Sequence, residues 1–451
     1  MSGEAVSNNI KSRRRSLAAV TFGNALEWYE WAAYSIFAPF IAAAMFQDGD
    51  PISALLKTFA VFAIGFFMRP VGGILFGRIA DRTGRKTVLV MTLLMMGAGS
   101  LTIGLLPDFD AIGIWASVIL LAARMLQGLA HGGETATSNS YVSELAPPNR
   151  RGLWSSISFV ALLSGTIFAF LLGVLLLAIF GTDAVSGWAW RLPFLFGGAA
   201  AVVVLFVRRR MDESEVFSDA KKINTMPSVP ARQMIRPIFT SIGLICGLTV
   251  FQYTWLSFVP AHAIVSDGMD AQAAYLAVAG AQLIAVTSLP LWGRLSDRIG
   301  RRPVFAGWGI AVAVLQVPLF AMVTGEAWTL FVASAIAWVV AAATGAIQSA
   351  AMAEQFSTRQ RTFGIGLAFS ISVAVFGGTT PYLNEWLYAH DVAWLATAYV
   401  IASALVTSVT ALTMPERAGT SLAEIDLVNA SADAGPEPAI NARAAAERRP
   451  I

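Results

Sequence analysis

Long apolar stretches separated by short polar segments run along almost the whole chain of 451 residues. Twelve of these stretches reach about 20 residues, the length that an α-helix needs to cross the hydrocarbon core of a bilayer. They are residues 17–45, 53–77, 87–106, 114–138, 153–180, 191–207, 238–263, 272–293, 303–323, 328–352, 362–387 and 392–414. The pattern predicts an all-α membrane protein with twelve transmembrane helices.

Two short polar motifs occur twice and divide the chain into related halves. The string GRIADRTGRK at 77–86 returns as GRLSDRIGRR at 293–302. A Glu and an Arg seven positions apart also recur, first as Glu144 and Arg151 and then as Glu354 and Arg361. Both repeats are shifted by nearly the same distance, which indicates duplication of a six-helix unit. Internal repeats of this kind are typical of secondary transporters.

The polar segments that flank the two halves define the predicted domain organisation. It comprises a cytoplasmic N-terminal tail (1–16), an N-terminal six-helix bundle (17–207), a cytoplasmic central loop (208–237), a C-terminal six-helix bundle (238–414) and a cytoplasmic tail (415–451). The last segment is rich in Ala, Glu, Pro and Arg, a composition that predicts disorder.

Composition and charge agree with a location in a membrane. The apolar share is 56% and the charged share 13%, whereas soluble domains have about 25% charged residues. Most of the 31 Lys and Arg residues fall in alternate loops, which the positive-inside rule assigns to the cytoplasm. We therefore expect a multi-pass protein of a bacterial inner membrane with both termini cytoplasmic. The net charge of +3 then reflects this loop bias, and no nucleic-acid partner is expected.

Five ionisable side chains lie inside predicted spans, where a charge costs on the order of 3 kcal/mol. They are Glu27, Glu30, Arg69, Arg124 and Glu134. Such residues usually face a polar cavity between helices, so these five are the first candidates for function.

Helical spacing adds neutral polar residues to this set. Gln127 and His131 share one face of the fourth span with Arg124 and Glu134, and Tyr34 follows Glu30 on the first span. From the second half, Tyr253, Gln282 and Gln348 are candidates to donate or accept hydrogen bonds to a ligand. We predict that the substrate contacts Arg124, Arg69, Tyr34, Gln127, His131, Tyr253, Gln282 and Gln348.

A count of charges suggests how a proton takes part. With all groups ionised, three carboxylates would face two guanidiniums in a low dielectric, so one carboxyl is expected to hold a proton. Glu30, Glu27 and Glu134 are the candidates, and binding of an anion to Arg69 or Arg124 would couple to the proton. Two alternatives stay open: Arg69 pairs with Glu30 or a backbone carbonyl as a structural residue, and His131 either titrates near neutral pH or only forms hydrogen bonds.

The repeated motifs are predicted to form a gate at the cytoplasmic end. Their Gly residues allow close helix contacts, and Asp81 can pair with Arg85 or Arg151 when this end is closed. The predicted gating residues are Gly77, Asp81, Gly84, Arg85, Glu144, Arg151, Gly293, Asp297, Gly300, Arg301, Glu354 and Arg361. The first copy is expected to dominate the gate. The alternative is a set of solvated charges that only fix topology, since exposed ion pairs contribute little to stability.

An enzyme is not expected from this sequence. His131, His262 and His390 lie on separate spans and Cys246 stands alone, so the chain lacks an obvious nucleophile–base pair or metal cluster. We expect neither a cofactor nor a metal. A receptor is also disfavoured, because only a short tail follows the last span.

Several strings resemble a known family of transporters. They are GNALEWYEWAAYS (Gly23–Ser35), FFMRPVGGILFGRIADRTGRK (Phe66–Lys86), RMLQGLAHGGE (Arg124–Glu134), WRLPFLFG (Trp190–Gly197) and AEQFSTRQRTFGIGLAFSISVAVFGG (Ala353–Gly378). They are similar to the metabolite:proton symporter family of the major facilitator superfamily, and within it to bacterial α-ketoglutarate permeases. The resemblance implies the twelve-helix major facilitator fold with two pseudo-symmetric six-helix bundles, and a coupling role for Arg124.

The resemblance also implies a function. It predicts an importer of a small organic anion, with α-ketoglutarate or another dicarboxylate favoured, by proton symport with alternating access and as a monomer. The alternatives are a zwitterionic osmolyte of the proline/betaine type or a monocarboxylic or aromatic acid such as shikimate. Glu30 stands where relatives commonly have Asp, which alters the fit to a substrate. The fifth span lacks the GPxxGG element of drug:proton antiporters, so efflux is disfavoured.

Overall fold

The computed structural model describes residues 24–47, 49–83, 85–132, 142–144, 146–209 and 231–426. Within these ranges the regular structure is helical, and no strand occurs. The helices group into twelve, named α1 to α12 in chain order, as the apolar pattern predicted.

Six helices form the N-terminal half. They are α1 (24–36, continued by Ala38–Met45), α2 (Pro51–Thr83), α3 (Arg85–Gly104), α4 (Ile114–His131), α5 (Arg151–Gly187) and α6 (Leu192–Arg209). Short helical segments at Phe109–Ile112, Pro148–Arg150 and Ala189–Arg191 precede α4, α5 and α6.

The C-terminal half repeats the arrangement. Its helices are α7 (Ala231–Tyr253, the π-helical turn Thr254–Phe258 and Val259–Val265), α8 (Ala271–Ile299), α9 (Arg301–Met322), α10 (Ala327–Gly345, then Gln348–Ala353), α11 (Thr358–Ser372, the π-helical turn Val373–Gly377 and Thr380–Ala389) and α12 (Ala393–Thr413). The π-helical turn of α7 is fully buried, and that of α11 is buried at Val373, Ala374 and Gly377.

Length and composition support membrane insertion. Among the described residues, nine helices are long and apolar enough to span a bilayer, and Val90–Gly104 and Ala189–Val203 form shorter apolar helices. Large apolar side chains point outward, among them Phe239 and Trp394, each 68% exposed. Contiguous exposed apolar surface of this kind is rare on soluble proteins and is expected where lipid surrounds the helices.

The two halves meet through α5 with α8 and through α2 with α11. A Cβ added to Gly293 of α8 would lie 2.7 Å from the carbonyl oxygen of Gly152 on α5. A Cβ added to Gly378, just beyond the π-helical turn of α11, would lie 2.7 Å from the Cβ of Phe66 on α2. Glycine at these positions therefore lets helices of opposite halves approach more closely than any other residue allows.

Contacts between the halves are present at both ends of the bundle. At the predicted outer end, Ala38 and Phe59 belong to an apolar cluster that includes Ala261 of α7. Nearby, the hydroxyls of Ser35 on α1 and Ser257 on α7 are 2.6 Å apart. Ion pairs join the halves at the predicted cytoplasmic end, so described residues of the two halves are in contact at both ends.

Three boundaries differ from those expected. The repeated motifs are mostly helical, because α2 continues to Thr83 and α8 to Ile299; the second motif breaks at Gly300, whose φ of +98° favours glycine. Helix α7 begins at Ala231, inside the predicted central loop. The predicted disordered tail is packed against the bundle over residues 415–426, and residues 427–451 lie outside the described part.

Candidate functional site

The two carboxyls of α1 point to different neighbours. The Oε2 of Glu30 accepts a hydrogen bond from the Ser100 hydroxyl of α3 at 2.9 Å. A Cβ added to Gly197 of α6 would lie 2.8 Å from the Oε1 of Glu30. Glu30 is therefore enclosed between α3 and α6, and the absence of a side chain at position 197 makes room for it.

A chain of hydrogen bonds links Glu30 to Arg124 of α4. The Nη1 of Arg124 donates to the Oε1 of Gln127 at 2.8 Å, and the Nε2 of Gln127 donates to the Ser100 hydroxyl at 2.8 Å. Gln127, predicted to contact substrate, instead joins the guanidinium of Arg124 to the carboxyl of Glu30 through Ser100. A charge change at one end of this network is felt at the other because hydrogen-bonded groups polarise one another.

Glu27 forms a separate pair with His131 of α4. The Oε1 of Glu27 is 2.5 Å from the Nδ1 of His131, and both side chains are buried. The indole N–H of Trp31 donates to the same Nδ1 at 3.0 Å. The Nδ1 of His131 therefore lies within hydrogen-bonding distance of both the Glu27 carboxyl and the Trp31 indole.

The guanidiniums of Arg69 and Arg124 lie over aromatic rings. The Arg69 Cζ is 3.9 Å from the ring centroid of Trp31 and 4.0 Å from that of Phe66. The Arg124 Cζ is 4.3 Å from the Trp31 centroid and 4.2 Å from that of Tyr34. Cation–π contact offsets part of the cost of burying these charges.

These buried guanidiniums keep unused hydrogen-bond donors. None of the three nitrogens of Arg69 has a hydrogen-bond partner among the described residues, and the same holds for the Nε and Nη2 of Arg124. Both arginines are 1% exposed. Buried polar atoms are nearly always hydrogen-bonded in proteins, so five unsatisfied donors at one place indicate a site for an acceptor-rich ligand. The open alternative for Arg69, a pair with Glu30 or a backbone carbonyl, is not found in the described part.

The second half contributes Tyr253 to this site. Its ring centroid is 5.4 Å from that of Phe66 and 5.9 Å from that of Phe62, and its buried hydroxyl has no hydrogen-bond partner among the described residues. The π-helical turn of α7 begins directly after Tyr253, and a Cβ at Gly377, which ends the π-helical turn of α11, would lie 2.7 Å from the Tyr253 ring. Such turns are frequent at functional sites.

The other predicted site residues differ in their surroundings. Tyr34 offers its ring to Arg124 while its hydroxyl donates to the Thr58 carbonyl at 3.2 Å. Gln282 accepts from Thr166 at 2.7 Å across the α5–α8 interface. Gln348 begins the second segment of α10. Glu134 lies outside the described residues.

An ion-pair cluster joins the halves at the predicted cytoplasmic end. Glu354 of α10 accepts from Arg151 of α5 at 2.7 Å and from Arg301 of α9 at 3.2 Å. Asp297 pairs with Arg301 at 3.0 Å and accepts from the backbone N–H of Gly152 at 2.8 Å. We call these residues, together with the ion pair of Arg361 and Glu144, the gate cluster.

The remaining pair of the gate cluster joins Arg361 to Glu144 at 3.1 Å. Arg151 thus pairs with the second-half Glu354, where the sequence suggested Asp81 as a partner. The side chains of Asp81 and Arg85 and all of Gly84 lie outside the described part of the chain, so the expectation that the first copy dominates stays a prediction. The contacts that the structure shows come from the second copy.

The packed part of the C-terminal tail reaches the gate cluster. Arg417 donates to the Glu354 carbonyl at 2.7 Å, and Arg151 donates to the Thr420 carbonyl at 3.1 Å. Asp426 accepts from the backbone N–H of Thr358 at 2.7 Å. The tail therefore bridges both halves at this end.

Sequence reasoning assigned no role in the site to several residues that line it. Ser100 joins Glu30 to Gln127, while Phe62 and Phe66 hold the arginines and Tyr253. Trp31 was also given no role, although it contacts both arginines and His131. The one signal in the sequence for any of these residues is Ser100, a polar residue within a predicted apolar span.

Comparison with known proteins gives the family. A family model described as "Sugar (and other) transporter" matches residues 16–225, and one described as "Major Facilitator Superfamily" matches residues 264–442. The chain is 33% identical to an alpha-ketoglutarate permease of Escherichia coli over 84% of its length and 88% of that protein. The chain belongs to the major facilitator superfamily. The resemblance predicted from the sequence motifs is thereby confirmed.

Other members of the superfamily are similar over comparable lengths. A proline/betaine transporter of Escherichia coli is 30% identical over 91% of the chain and 85% of that protein. A crystal structure of a D-xylose-proton symporter superposes with a TM-score of 0.69 at 19% identity, covering 90% of this chain and 98% of the other. The inward-open structure of the xylose transporter XylE from Escherichia coli superposes with a TM-score of 0.68 at 16% identity. This superposition covers 92% of this chain and 99% of the other.

These similarities establish the major facilitator fold and a transporter of the superfamily. The chain is a membrane transporter and not an enzyme. The curated relatives carry different substrates in their names, α-ketoglutarate in one and proline or betaine in another.

Proposed function

We propose that this transporter imports a small organic anion together with a proton, and that dicarboxylates such as α-ketoglutarate are its preferred class of substrate. One observation carries the proposal. Arg69 and Arg124 lie buried over the ring of Trp31 with five guanidinium nitrogens free of hydrogen bonds to described residues. Carboxylates are the ligands that guanidinium donors match best, often with two parallel hydrogen bonds.

The charge of the site favours a substrate with two carboxylates over a substrate with one. The guanidiniums of Arg69 and Arg124 lie over the same Trp31 ring, 3.9 and 4.3 Å from its centroid. The Glu30 carboxyl accepts a hydrogen bond from Ser100 and is enclosed beside Gly197. A dianion would neutralise both guanidiniums, whereas a monoanion would leave one unpaired in a low dielectric. The similarity to an alpha-ketoglutarate permease supports the same substrate.

A zwitterionic osmolyte is the second class of candidate, after the organic anions. The similarity to a proline/betaine transporter supports it, and so do the aromatic rings of Phe62, Phe66 and Tyr253, since aromatic faces bind quaternary ammonium groups. Against it, the guanidiniums already lie over the rings of Trp31, Phe66 and Tyr34. Shikimate-type monocarboxylates rank between the two candidates.

Alternating access is proposed to release the substrate when the gate cluster opens. We propose a cytoplasmic location for both termini and for the gate cluster, insertion in a bacterial inner membrane, and function as a monomer. Substrate binding is assigned to Arg69, Arg124 and Tyr253, and proton coupling to Glu27, Glu30 and Glu134.

Uptake into proteoliposomes tests the substrate class. The purified protein is reconstituted and given an imposed pH gradient, acidic outside, with radiolabelled α-ketoglutarate, succinate, shikimate, proline or glycine betaine. We expect accumulation of the dicarboxylates that collapses when a protonophore removes the gradient. Accumulation of betaine alone would favour the second candidate, and uptake that ignores the gradient would contradict proton symport.

A further inference from the structure

A small cavity lies in the second half at the predicted outer end. Its volume is about 130 Å³, and besides two valines it is lined by Phe258, His262, Asp267, Phe320 and Tyr388. These residues belong to α7, the α7–α8 loop, α9 and α11. His262 follows Tyr253 by nine positions on α7, which places it about 13 Å further along the helix. The cavity is therefore separate from the arginines of the central site.

Aromatic rings from three helices form the wall of this cavity. The ring centroid of Phe258 is 5.1 Å from that of Tyr388 and 6.4 Å from that of Phe320. The centroids of Phe320 and Tyr388 are also 6.4 Å apart. Several aromatic faces around one space are the usual binding site for a quaternary ammonium group, because the faces of the rings are electronegative.

Two carboxyl groups give the cavity negative charge. Glu385 of α11 is fully buried, and its two carboxyl oxygens are 3.2 and 3.1 Å from the Nδ1 of His262. The imidazole of His262 thus lies between this carboxyl and the cavity. Asp267 borders the cavity directly and is exposed.

The sign of the charge does not depend on the protonation of His262. The carboxylates of Glu385 and Asp267 outnumber the single imidazole that can become cationic, and the lining residues, all of which the structure describes, include no Lys or Arg. In a partly desolvated space such a set attracts a cation and repels an anion. The organic anion proposed for the central site is therefore a poor ligand for this cavity.

We propose that this cavity binds a small organic ammonium ion, whose methyl groups contact the rings while Asp267 and the His262–Glu385 pair balance its charge. An engineered cavity of about 150 Å³ holds benzene, so a trimethylammonium group fits the space. The ligand can enter from the predicted outer side, because Asp267 is exposed and the side chain of His262 is 19% exposed. The site lies wholly in the second half and does not depend on the substrate proposed above.

Binding of radiolabelled choline to the purified full-length protein tests the ligand class. We expect saturable binding with a Kd below about 1 mM. Dimethylbutanol, the uncharged isostere with carbon in place of nitrogen, should compete at least about tenfold less well, since it lacks the charge. Phosphocholine should also compete poorly, because its phosphate would be repelled by the carboxylates; it represents the head group of a lipid. Equal competition by either compound, or no saturable binding, would overturn the proposal.

Variants of the lining residues locate the bound choline. Glu385→Gln and Asp267→Asn should each raise the Kd about tenfold, because each removes a negative charge. Phe320→Leu should raise it about fivefold through loss of a ring. Glu326→Gln is the matched control and should leave the Kd unchanged. It removes a carboxylate at the same end, where Glu326 is exposed and its side chain does not cap α10.

The variants also keep the test decisive if one of them does not fold. Should Glu385→Gln fail to fold, Asp267→Asn at the exposed rim and Phe320→Leu give the same comparison. Wild-type affinity for choline in both Asp267→Asn and Phe320→Leu would show that choline binds elsewhere and would overturn the proposal. None of these measurements uses uptake of an organic anion, so failure of this proposal is distinct from failure of the proposed function.

Discussion

At the scale of single residues, the site depends on which buried charges are paired. Glu30, Arg124 and Glu27 each have a defined partner, namely Ser100, Gln127 and His131. Arg69 has aromatic contacts alone among the described residues. The two carboxyls contact other side chains, and the nitrogens of Arg69 remain without hydrogen bonds to described residues.

Arg124→Gln and Arg69→Gln should each weaken anion binding strongly. Removing one partner of a desolvated charge pair typically costs about 2–5 kcal/mol, so we expect the dissociation constant of the anion to rise by more than about tenfold. Equilibrium binding of the radiolabelled anion to purified protein measures the effect. Arg236→Gln is the control, because Arg236 is exposed on α7 and should leave affinity unchanged. Unaltered binding in both arginine variants would remove them from the substrate site.

At the scale of helices, close packing around α2 and α4 holds the arginines in place. A Cβ added to Gly128 of α4 would lie 1.9 Å from the Gly65 carbonyl oxygen of α2, and one added to Gly132 would lie 2.0 Å from the Arg69 carbonyl oxygen. These contacts involve backbone, so no side-chain rotation can relieve them. Glycine therefore fixes the distance between the helices that carry Arg69 and Arg124.

Gly128→Ala should destabilise the protein because α2 and α4 must move apart. Overpacking of this kind usually costs about 1–3 kcal/mol, so thermal unfolding in detergent, followed by tryptophan fluorescence, should occur at a lower temperature. Gly187→Ala is the matched control, since a Cβ there meets no atom within 4 Å. Equal unfolding temperatures for the two variants would show that the α2–α4 contact adapts.

At the scale of the whole molecule, contacts at both ends hold the halves together around the site. Ion pairs of the gate cluster close the predicted cytoplasmic end, and small apolar residues close the other. Rigid-body movement of one half against the other is the known type of transition for such repeats. Breaking the contacts at one end should therefore shift the protein toward the conformation that is open at that end, and should not unfold it.

Glu354→Gln should favour opening of the cytoplasmic end, because it removes the charge that pairs with Arg151 and Arg301. Ser155 is fully buried and accepts from the Ala350 backbone N–H across the halves at 3.1 Å. In a Cys246→Ser background, Ser155→Cys should then react faster with a hydrophilic maleimide. Glu326→Gln, exposed at the other end, is the control. Equal labelling rates in the two variants would show that the pairs with Glu354 do not hold the gate closed.

The sequence alone determined the fold and the intramembrane charges, because apolar length and repeated motifs are local properties of the chain. It indicated Arg69, Arg124 and Glu27 for the same reason, since a charge inside an apolar span stands out without any knowledge of its neighbours. Partners on other helices could not be read in this way: Ser100 and Tyr253 come from α3 and α7, and only the packing of the helices brings Ser100 to Glu30 and Tyr253 to Phe66 beside Arg69. Hydrogen bonds and ion pairs depend on distances of a few ångström between distant parts of the chain. The tertiary structure alone therefore decided that Glu27 meets His131, that Arg69 keeps its donors, and that Arg151 closes the gate with Glu354.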